Sequence, residues 1–143
     1  MKVKQLSIFL QNKEGSLYDA LDILTKANIN IKALSLADTS DFGILRVVVD
    51  NPKKGIETLK KNNFLVKPTD IVAIEMDDSP GGLSSILGII KKNKINLEYL
   101  YAFTHDKTDK AILLLHTDDL DDLINSLKNE DIIIVPPNEV YNL

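Results

Sequence analysis

Apolar residues occupy every second position near the start of the chain and then return at a helical spacing. Leu6, Ile8 and Leu10 follow a period of two, which predicts a half-buried strand. Between residues 17 and 27, apolar residues recur three or four positions apart, which predicts a helix with one buried face. Asn28 follows as a stop signal, because asparagine tolerates the left-handed conformation that ends many helices.

The remainder of the first half predicts two strands, a short helix and a last strand. A polar turn cluster at 38–41 separates the two strands. Asn51 and Pro52 mark the helix start, because asparagine is a good N-cap and proline suits the first helical turn. The four strands predicted for this half are 6–10, 29–37, 44–49 and 64–67.

The second half of the sequence repeats the first. Gly15 aligns with Gly81 and Ile29 aligns with Ile95, so the members of each pair are 66 residues apart. The apolar phase of the strands and helices agrees over about 60 aligned positions, which makes an internal duplication the best explanation. The strands predicted for the second half are 72–76, 95–103, 111–115 and 132–135.

Two helices are predicted in the second half. Residues 83–90 carry the apolar face of the first, and Thr117 is the expected cap of the second. An acidic cluster at 118–122 opens that second helix and suits the positive end of its dipole. A calcium loop is disfavoured because Leu120 and Leu123 keep the helical phase through the cluster.

Each half therefore has the order strand, helix, strand, strand, helix, strand. With crossover helices, this order gives an antiparallel sheet covered by helices on one face, the ferredoxin-like arrangement of the α+β class. A unit of ~70 residues has a thin core, so we expect the two units to pack into one extended sheet. The predicted domains are 1–68 and 69–143, and the junction at 66–70 is too short for a free linker.

Composition and charge narrow the classes of function. The net charge of −4 argues against nucleic acid or an acidic membrane as the partner. The sequence has no cysteine, which excludes disulfides and thiol chemistry. It also has no apolar stretch of ~20 residues and no leader pattern, so we expect a cytoplasmic protein.

Candidate catalytic and metal-binding side chains are few. His105 and His116 fall in different kinds of element without the spacing of metal ligands, so no metal and no cofactor are predicted. Tyr99, Tyr101 and Phe103 alternate on one strand, and we interpret them as packing at a sheet face or a subunit interface. An RNA-binding module on this frame would combine such aromatics with basic residues, which an acidic chain does not favour.

Two glycine turns remain as candidate binding sites. Residues 12–15 and 78–82 each lead from a strand into a helix, where free backbone N–H groups and a partial positive charge can hold a carboxylate. Asn30 and Asn96 open the strand after each helix, and we expect them to lie near the glycine turn of a partner unit. A carboxylate-binding helix end with amide side chains around it suits a small zwitterion. Asparagine and aspartate are also common turn formers, so a purely structural role stays open.

The second turn carries the more specific pattern. Asp-Ser-Pro-Gly-Gly-Leu at 78–83, then a helix, then Ile-Asn-Leu at 95–97, resembles the ACT domain, a family of small regulatory βαββαβ units that bind amino acids. The resemblance covers nearly the whole chain, in two copies. The first copy departs from the family pattern at Glu14, where the family usually has proline.

The resemblance also implies ligand-binding positions. In serine-sensing members, one asparagine in the glycine turn and another at the start of the second strand hold the ligand. Asn12 and Asn30 match these positions in the first copy, whereas Asp78 replaces the first asparagine of the second copy. An ionised Asp78 only accepts hydrogen bonds, so the two sites differ, and the first is the favoured sensor. The predicted ligand-binding residues are Asn12, Gly15, Ser16, Leu17, Asn30, Asp78, Gly81, Gly82, Leu83 and Asn96.

We therefore expect a non-catalytic protein that senses an amino acid at the interface between ACT units and modulates a separate enzyme of amino-acid metabolism. Pairing of units in this family implies a homodimer. One alternative is a dimerisation or scaffold subunit with vestigial sites. Another is a small hydrolase of the acylphosphatase type, which needs an arginine in the first turn, whereas the single arginine here is Arg46, on a predicted strand.

Overall fold

The computed structural model describes residues 1–38, 41–105 and 108–143. The predicted turn at 38–41 and the predicted loop at 104–109 each include residues outside these ranges. Within the ranges, the elements are β1 (Val3–Gln11), α1 (Ser16–Lys26), β2 (Ile31–Asp38), β3 (Phe42–Val49), α2 (Pro52–Lys61), β4 (Leu65–Asp77), α3 (Gly82–Lys92), β5 (Leu97–Thr104), β6 (Lys110–Thr117), α4 (Leu120–Lys128) and α5 (Pro137–Tyr141).

The first βαββαβ unit has the strand order β2-β3-β1-β4. β3 runs antiparallel to both β1 and β2, with Arg46 opposite Ser7 on one side and Ser35 on the other. Helices α1 and α2 pack on one face of these strands. The fully buried side chains of this core include Leu6, Ile8, Leu24, Leu45, Val47 and Leu59.

Local sequence signals set the ends of both helices in this unit. Asn28 has a φ of 57°, and the N–H of Ile29 donates to the carbonyl of Leu24 at 3.0 Å, which closes α1. Asn51 caps α2, because its side-chain oxygen accepts from the N–H of Lys54 at 3.2 Å. The predicted stop at Asn28 and the predicted cap at Asn51 are both confirmed.

The second unit has the strand order β4-β6-β5, and β6 runs antiparallel to both neighbours. Helices α3 and α4 bury Ile86, Ile90, Leu123 and Leu127 in its core. The predicted last strand at 132–135 is reduced to one antiparallel bridge between Ile134 and Ile74.

The predicted fold class of two ferredoxin-like units is confirmed. β4 runs without a break from Leu65 to Asp77, so it ends the first unit and begins the second. The hydrogen-bonded order of the six strands is accordingly β2-β3-β1-β4-β6-β5. The sequence predicted two separate strands here, because Pro68 and its polar neighbours resemble a turn.

Two further details differ from the predictions. β1 is buried on both faces, because Gln5 and Ser7 are buried opposite the helix-covered side, and the Gln5 amide donates to the Ser7 hydroxyl at 3.2 Å. Thr117 is not the cap of α4. Asp119 is the N-cap, and its carboxylate accepts from the N–H of Asp122 at 3.0 Å.

The chain divides into two compact units that exchange their terminal residues. One unit contains 4–69 together with 140–143, and the other contains 70–139 together with 1–3. Neither this exchange nor the short helix α5 was predicted from the sequence. Among the helices in the described parts of the chain, none is long and apolar enough to cross a membrane.

Candidate functional site

The first glycine turn opens α1 in the manner that a ligand site at a helix end requires. Gly15 is the N-cap residue with a φ of 82°, and no side chain caps this end. The N–H of Asp19 donates to the carbonyl of Gly15 at 2.9 Å as the first regular helical bond. The N–H groups of Leu17 and Tyr18 precede it and have no acceptor within the helix, so they can bind an anion.

Ser16, at the first helical position, has an unusual environment. Its side chain is only 8% exposed, and its hydroxyl has no hydrogen-bond partner among the described residues. A buried hydroxyl without a hydrogen-bond partner costs free energy. A ligand with an acceptor atom at this helix N-terminus removes that cost.

A cleft lies beside this helix end, and we call it the first cleft. Its volume is about 530 Å³, which falls in the usual range for small-molecule sites. Part of its wall is aromatic, and the rings of Phe9 and Phe42 meet edge to face with their centroids 5.7 Å apart. Phe64 adds a third ring.

Charges of both signs also line the first cleft. Lys13 follows β1, Asp19 lies in the first turn of α1, and Asp41 precedes β3. None of the three forms an ion pair with another described residue. The cleft therefore combines an anion-binding helix end and an apolar wall with an ammonium and two carboxylates that form no ion pair within the described parts of the chain.

The second unit has a cleft at the same place, which we call the second cleft. It lies against the glycine turn of Gly81 and Gly82. Its mouth contains an ion pair, with the Lys110 ammonium 2.5 Å from the Asp77 carboxylate. The hydrogen bond and the negative charge of Asp77 raise the pKa of Lys110 above its ordinary value.

The second glycine turn is tighter than the first. A Cβ at Gly82 would lie 2.0 Å from the carbonyl oxygen of Asp77, so only glycine fits there. The N–H of Asp78 donates to the carbonyl of Asp109 at 3.0 Å, which fixes the start of the turn. The first unit accommodates Ser16 at the position equivalent to Gly82, so the two helix ends differ in shape as well as in charge.

The asparagines implied by the family resemblance do not meet within one unit. Gln11 and Phe42 are register partners at one end of β3, whereas Ile31 and Val49 are partners at the other end. The glycine turn with Asn12 therefore lies roughly 20 Å from the start of β2, where Asn30 lies.

The same separation holds in the second unit. Asp77 is opposite Lys110 and Leu97 is opposite Thr117, so Asp78 and Asn96 also lie at opposite ends of a strand. All four of these polar side chains are exposed: Asn12, Asn30, Asp78 and Asn96. Of the predicted leucines, Leu17 packs against the core of its unit, whereas Leu83 is 37% exposed.

The residues that sequence reasoning missed are those of the cleft walls. Lys13 and Asp19 flank the predicted Gly15, so their position next to the turn was a usable signal. Phe42 and Phe64 are distant in sequence from this turn. Phe42 reaches the cleft through its register opposite Gln11, and Phe64 directly precedes β4.

The histidines show no metal-binding arrangement. The Nδ1 of His116 lies 2.9 Å from the carbonyl oxygen of Asp70, and its Nε2 lies 3.2 Å from Glu98. The Tyr99 ring stacks on His116, with centroids 4.9 Å apart, in agreement with a packing role for that tyrosine. A hydrogen bond with Asp118 and desolvation raise the pKa of Glu98. Within the described residues, no group of three or more histidines or acidic residues has a geometry suited to a metal.

Duplicated βαββαβ units, each with a glycine turn leading into a helix beside a cleft, define a tandem regulatory module of the ACT type. The chain belongs to the ACT domain pair family, whose profile matches residues 1–140.

Solved structures agree with this assignment. The chain is similar to protein BT0572 from Bacteroides thetaiotaomicron, with 38% identity, a TM-score of 0.93, and coverage of 100% of this chain and 98% of that one. It has the fold of the ligand-free regulatory subunit of aspartate kinase from Thermus thermophilus, at 9% identity and a TM-score of 0.61, covering 88% and 90% of the two chains. Among curated proteins, none matches the chain.

Proposed function

We propose that this ACT domain pair is a non-catalytic regulator that binds a free amino acid and controls a separate enzyme of amino-acid metabolism. The observation that carries the proposal is the first cleft, where the buried Ser16 hydroxyl lies at the open N-terminus of α1 and has no hydrogen-bond partner in the described part of the chain. A bound carboxylate supplies the acceptor that this hydroxyl lacks and accepts from the free N–H groups of the first helical turn.

We propose that Asn12 and Asn30, the asparagines implied by the family resemblance, share one site when two chains pair. Asn30 lies at the far end of its unit from Asn12, so a site that uses both side chains takes Asn30 from a second copy. Pairing of chains thereby completes the site, and the ligand stabilises the paired state. This is how binding at the glycine turn shifts the populations of a partner enzyme.

A protein of the same fold supports the relation to an enzyme. The Thermus thermophilus protein is described as a regulatory subunit of aspartate kinase. We propose the same relation to a separate enzyme for the present chain, in a cytoplasmic setting.

A titration with all standard amino acids tests the proposal. Thermal shift finds candidate ligands, and calorimetry then measures their affinity and stoichiometry. We expect at least one amino acid to raise the melting temperature, because a ligand that binds only the folded state stabilises it. A flat response to the whole panel would contradict the proposal and favour a scaffold subunit with vestigial sites.

Substitution of the asparagines tests the paired site. At least one of the two variants Asn30→Ala and Asn96→Ala should weaken the best ligand by about tenfold, because a hydrogen bond to a charged group is lost. Asn125→Ala, an exposed position on α4, is the control and should leave the affinity unchanged. Equal affinity in all three variants would place the site away from both asparagines.

A further inference from the structure

We propose that the first cleft binds an α-amino acid with an aromatic or large aliphatic side chain, and that the second cleft binds no amino acid. This inference rests on the proposed function and adds the class of ligand and the unit that takes it. It starts from the internal repeat. The two clefts lie at equivalent places, so the residues that differ between them show which chemistry each has kept.

The first cleft has groups for both charges of an amino acid. Lys13 and the N-terminus of α1 attract a carboxylate, whereas Asp19 and Asp41 attract an ammonium group. In the second cleft, Ser79 stands at the position of Lys13 and Ser85 at the position of Asp19. At these two positions the second cleft therefore has no charged group, and the lysine that it does contain, Lys110, is paired with Asp77.

The two clefts differ as strongly in the wall that faces the side chain of the ligand. The edge-to-face pair of Phe9 and Phe42 forms an apolar wall in the first cleft, with the third phenylalanine nearby. Aromatic walls of this kind favour aromatic and large aliphatic groups. In the second cleft, Glu75 stands at the position of Phe9, 66 residues further along the chain. Lys110 stands at the position of Phe42, because it lies opposite Asp77 as Phe42 lies opposite Gln11. The second cleft does have aliphatic lining residues, among them Ile86 and Ile132, but no aromatic side chain is among its described lining residues.

The Ser16 hydroxyl has no hydrogen-bond partner within residues 1–38, 41–105 and 108–143, which is a separate indication that the first cleft takes a ligand. It is buried at the helix end where the carboxylate of an amino acid binds. The equivalent residue in the second unit is Gly82, which has no side chain to satisfy and lies tight against Asp77. In addition, Asp77 already engages the Lys110 ammonium, so a ligand carboxylate competes with it.

Calorimetry on the full-length chain tests the class of ligand. We expect phenylalanine and leucine to bind with a stoichiometry of one per chain, and serine and aspartate to bind at least about tenfold more weakly. 3-Phenylpropionate lacks the ammonium group and phenethylamine lacks the carboxylate. Each should also bind at least about tenfold more weakly than phenylalanine, because one charge is left without its partner.

Substitutions that place second-unit residues in the first cleft test where the amino acid binds. Phe42→Lys and Lys13→Ser import the second-unit residues into the first cleft, and each should weaken phenylalanine binding by about tenfold or more. Phe42 is 39% exposed and Lys13 is exposed, so both variants should fold, which their melting curves check. Lys110→Ala in the second cleft is the matched control, and it should leave the dissociation constant within about twofold.

The outcomes separate this inference from the proposed function. If serine or aspartate binds more tightly than phenylalanine and leucine, the proposed function stands and the inference is overturned. Two ligands per chain, or unchanged affinity in Phe42→Lys and Lys13→Ser, also overturns it. If no standard amino acid binds, the proposed function itself fails, and the inference fails with it.

Discussion

Single glycines decide how α1 and α3 begin at their turns. Gly15 and Gly81 have φ values of 82° and 89°, in the left-handed region that other residues avoid, but open space surrounds the position of a Cβ at both. Gly82 is different, because a Cβ there overlaps the backbone of Asp77. The glycine pattern predicted the turns from the sequence. It did not distinguish a conformational requirement from a steric one, because the steric requirement depends on how closely two segments of backbone approach.

Alanine substitutions measure this difference. Gly15→Ala should destabilise the protein by roughly 1–2 kcal/mol, the cost of a left-handed L-residue. Gly82→Ala should cost more, because the turn must open to admit the methyl group. Gly88→Ala, on an exposed face of α3 with open space around it, is the control and should stabilise by up to about 1 kcal/mol. Urea unfolding gives all three values, and an equal loss for Gly15→Ala and Gly82→Ala would show that the second turn is not constrained.

At the scale of elements, the hydrophobic period predicted every helix except α5 and most of the strands. What it missed depends on tertiary context. β1 looked half-buried because Gln5 and Ser7 are polar, yet they are buried with polar partners, including the Thr69 hydroxyl 2.9 Å from that of Ser7. The walls of the first cleft depend on strand register, which places Phe42 opposite Gln11. Side-chain spacing along one element does not contain that information.

The cap of α4 is the element-scale correction that can be tested most directly. Asp119→Ala should cost about 1 kcal/mol, because it removes the acceptor for the N–H of Asp122. Thr117→Val should be neutral or slightly stabilising, because the buried Thr117 hydroxyl has no partner among the described residues.

Asn51→Ala at the start of α2 provides the reference for a confirmed cap, with a similar loss of about 1 kcal/mol. Thermal or urea unfolding of the three variants compares them on one scale. A loss in Thr117→Val as large as that in Asp119→Ala would restore the cap predicted from the sequence.

At the scale of the whole molecule, the repeat in the sequence and the compact units in space do not coincide. The repeat divides the chain near its middle, but residues 140–143 belong to the unit built from 4–69. Val140 is fully buried, and the Tyr141 hydroxyl accepts from the backbone N–H of Lys4 at 2.7 Å. Repeat matching could not predict this, because residues 140–143 lie beyond the aligned elements of the second copy.

Hydrogen exchange at Lys4 tests the role of these four residues. Tyr141→Phe removes the acceptor of the Lys4 amide, so this amide should exchange faster, and the protein should lose about 1 kcal/mol of stability. Tyr18→Phe is the control, because Tyr18 is 69% exposed on α1. Unchanged protection of Lys4 in Tyr141→Phe would show that residues 140–143 do not hold the start of β1.

The exchange of terminal residues also determines when each unit can finish folding during synthesis. Domains generally fold as units while the ribosome makes them from the N-terminal end. Here residues 140–143 are synthesised after the whole of the second unit, although they belong to the first. The nascent first unit therefore waits for the translation of its neighbour before its last four residues can join it, and the first cleft becomes part of a finished unit only when both repeats have been made.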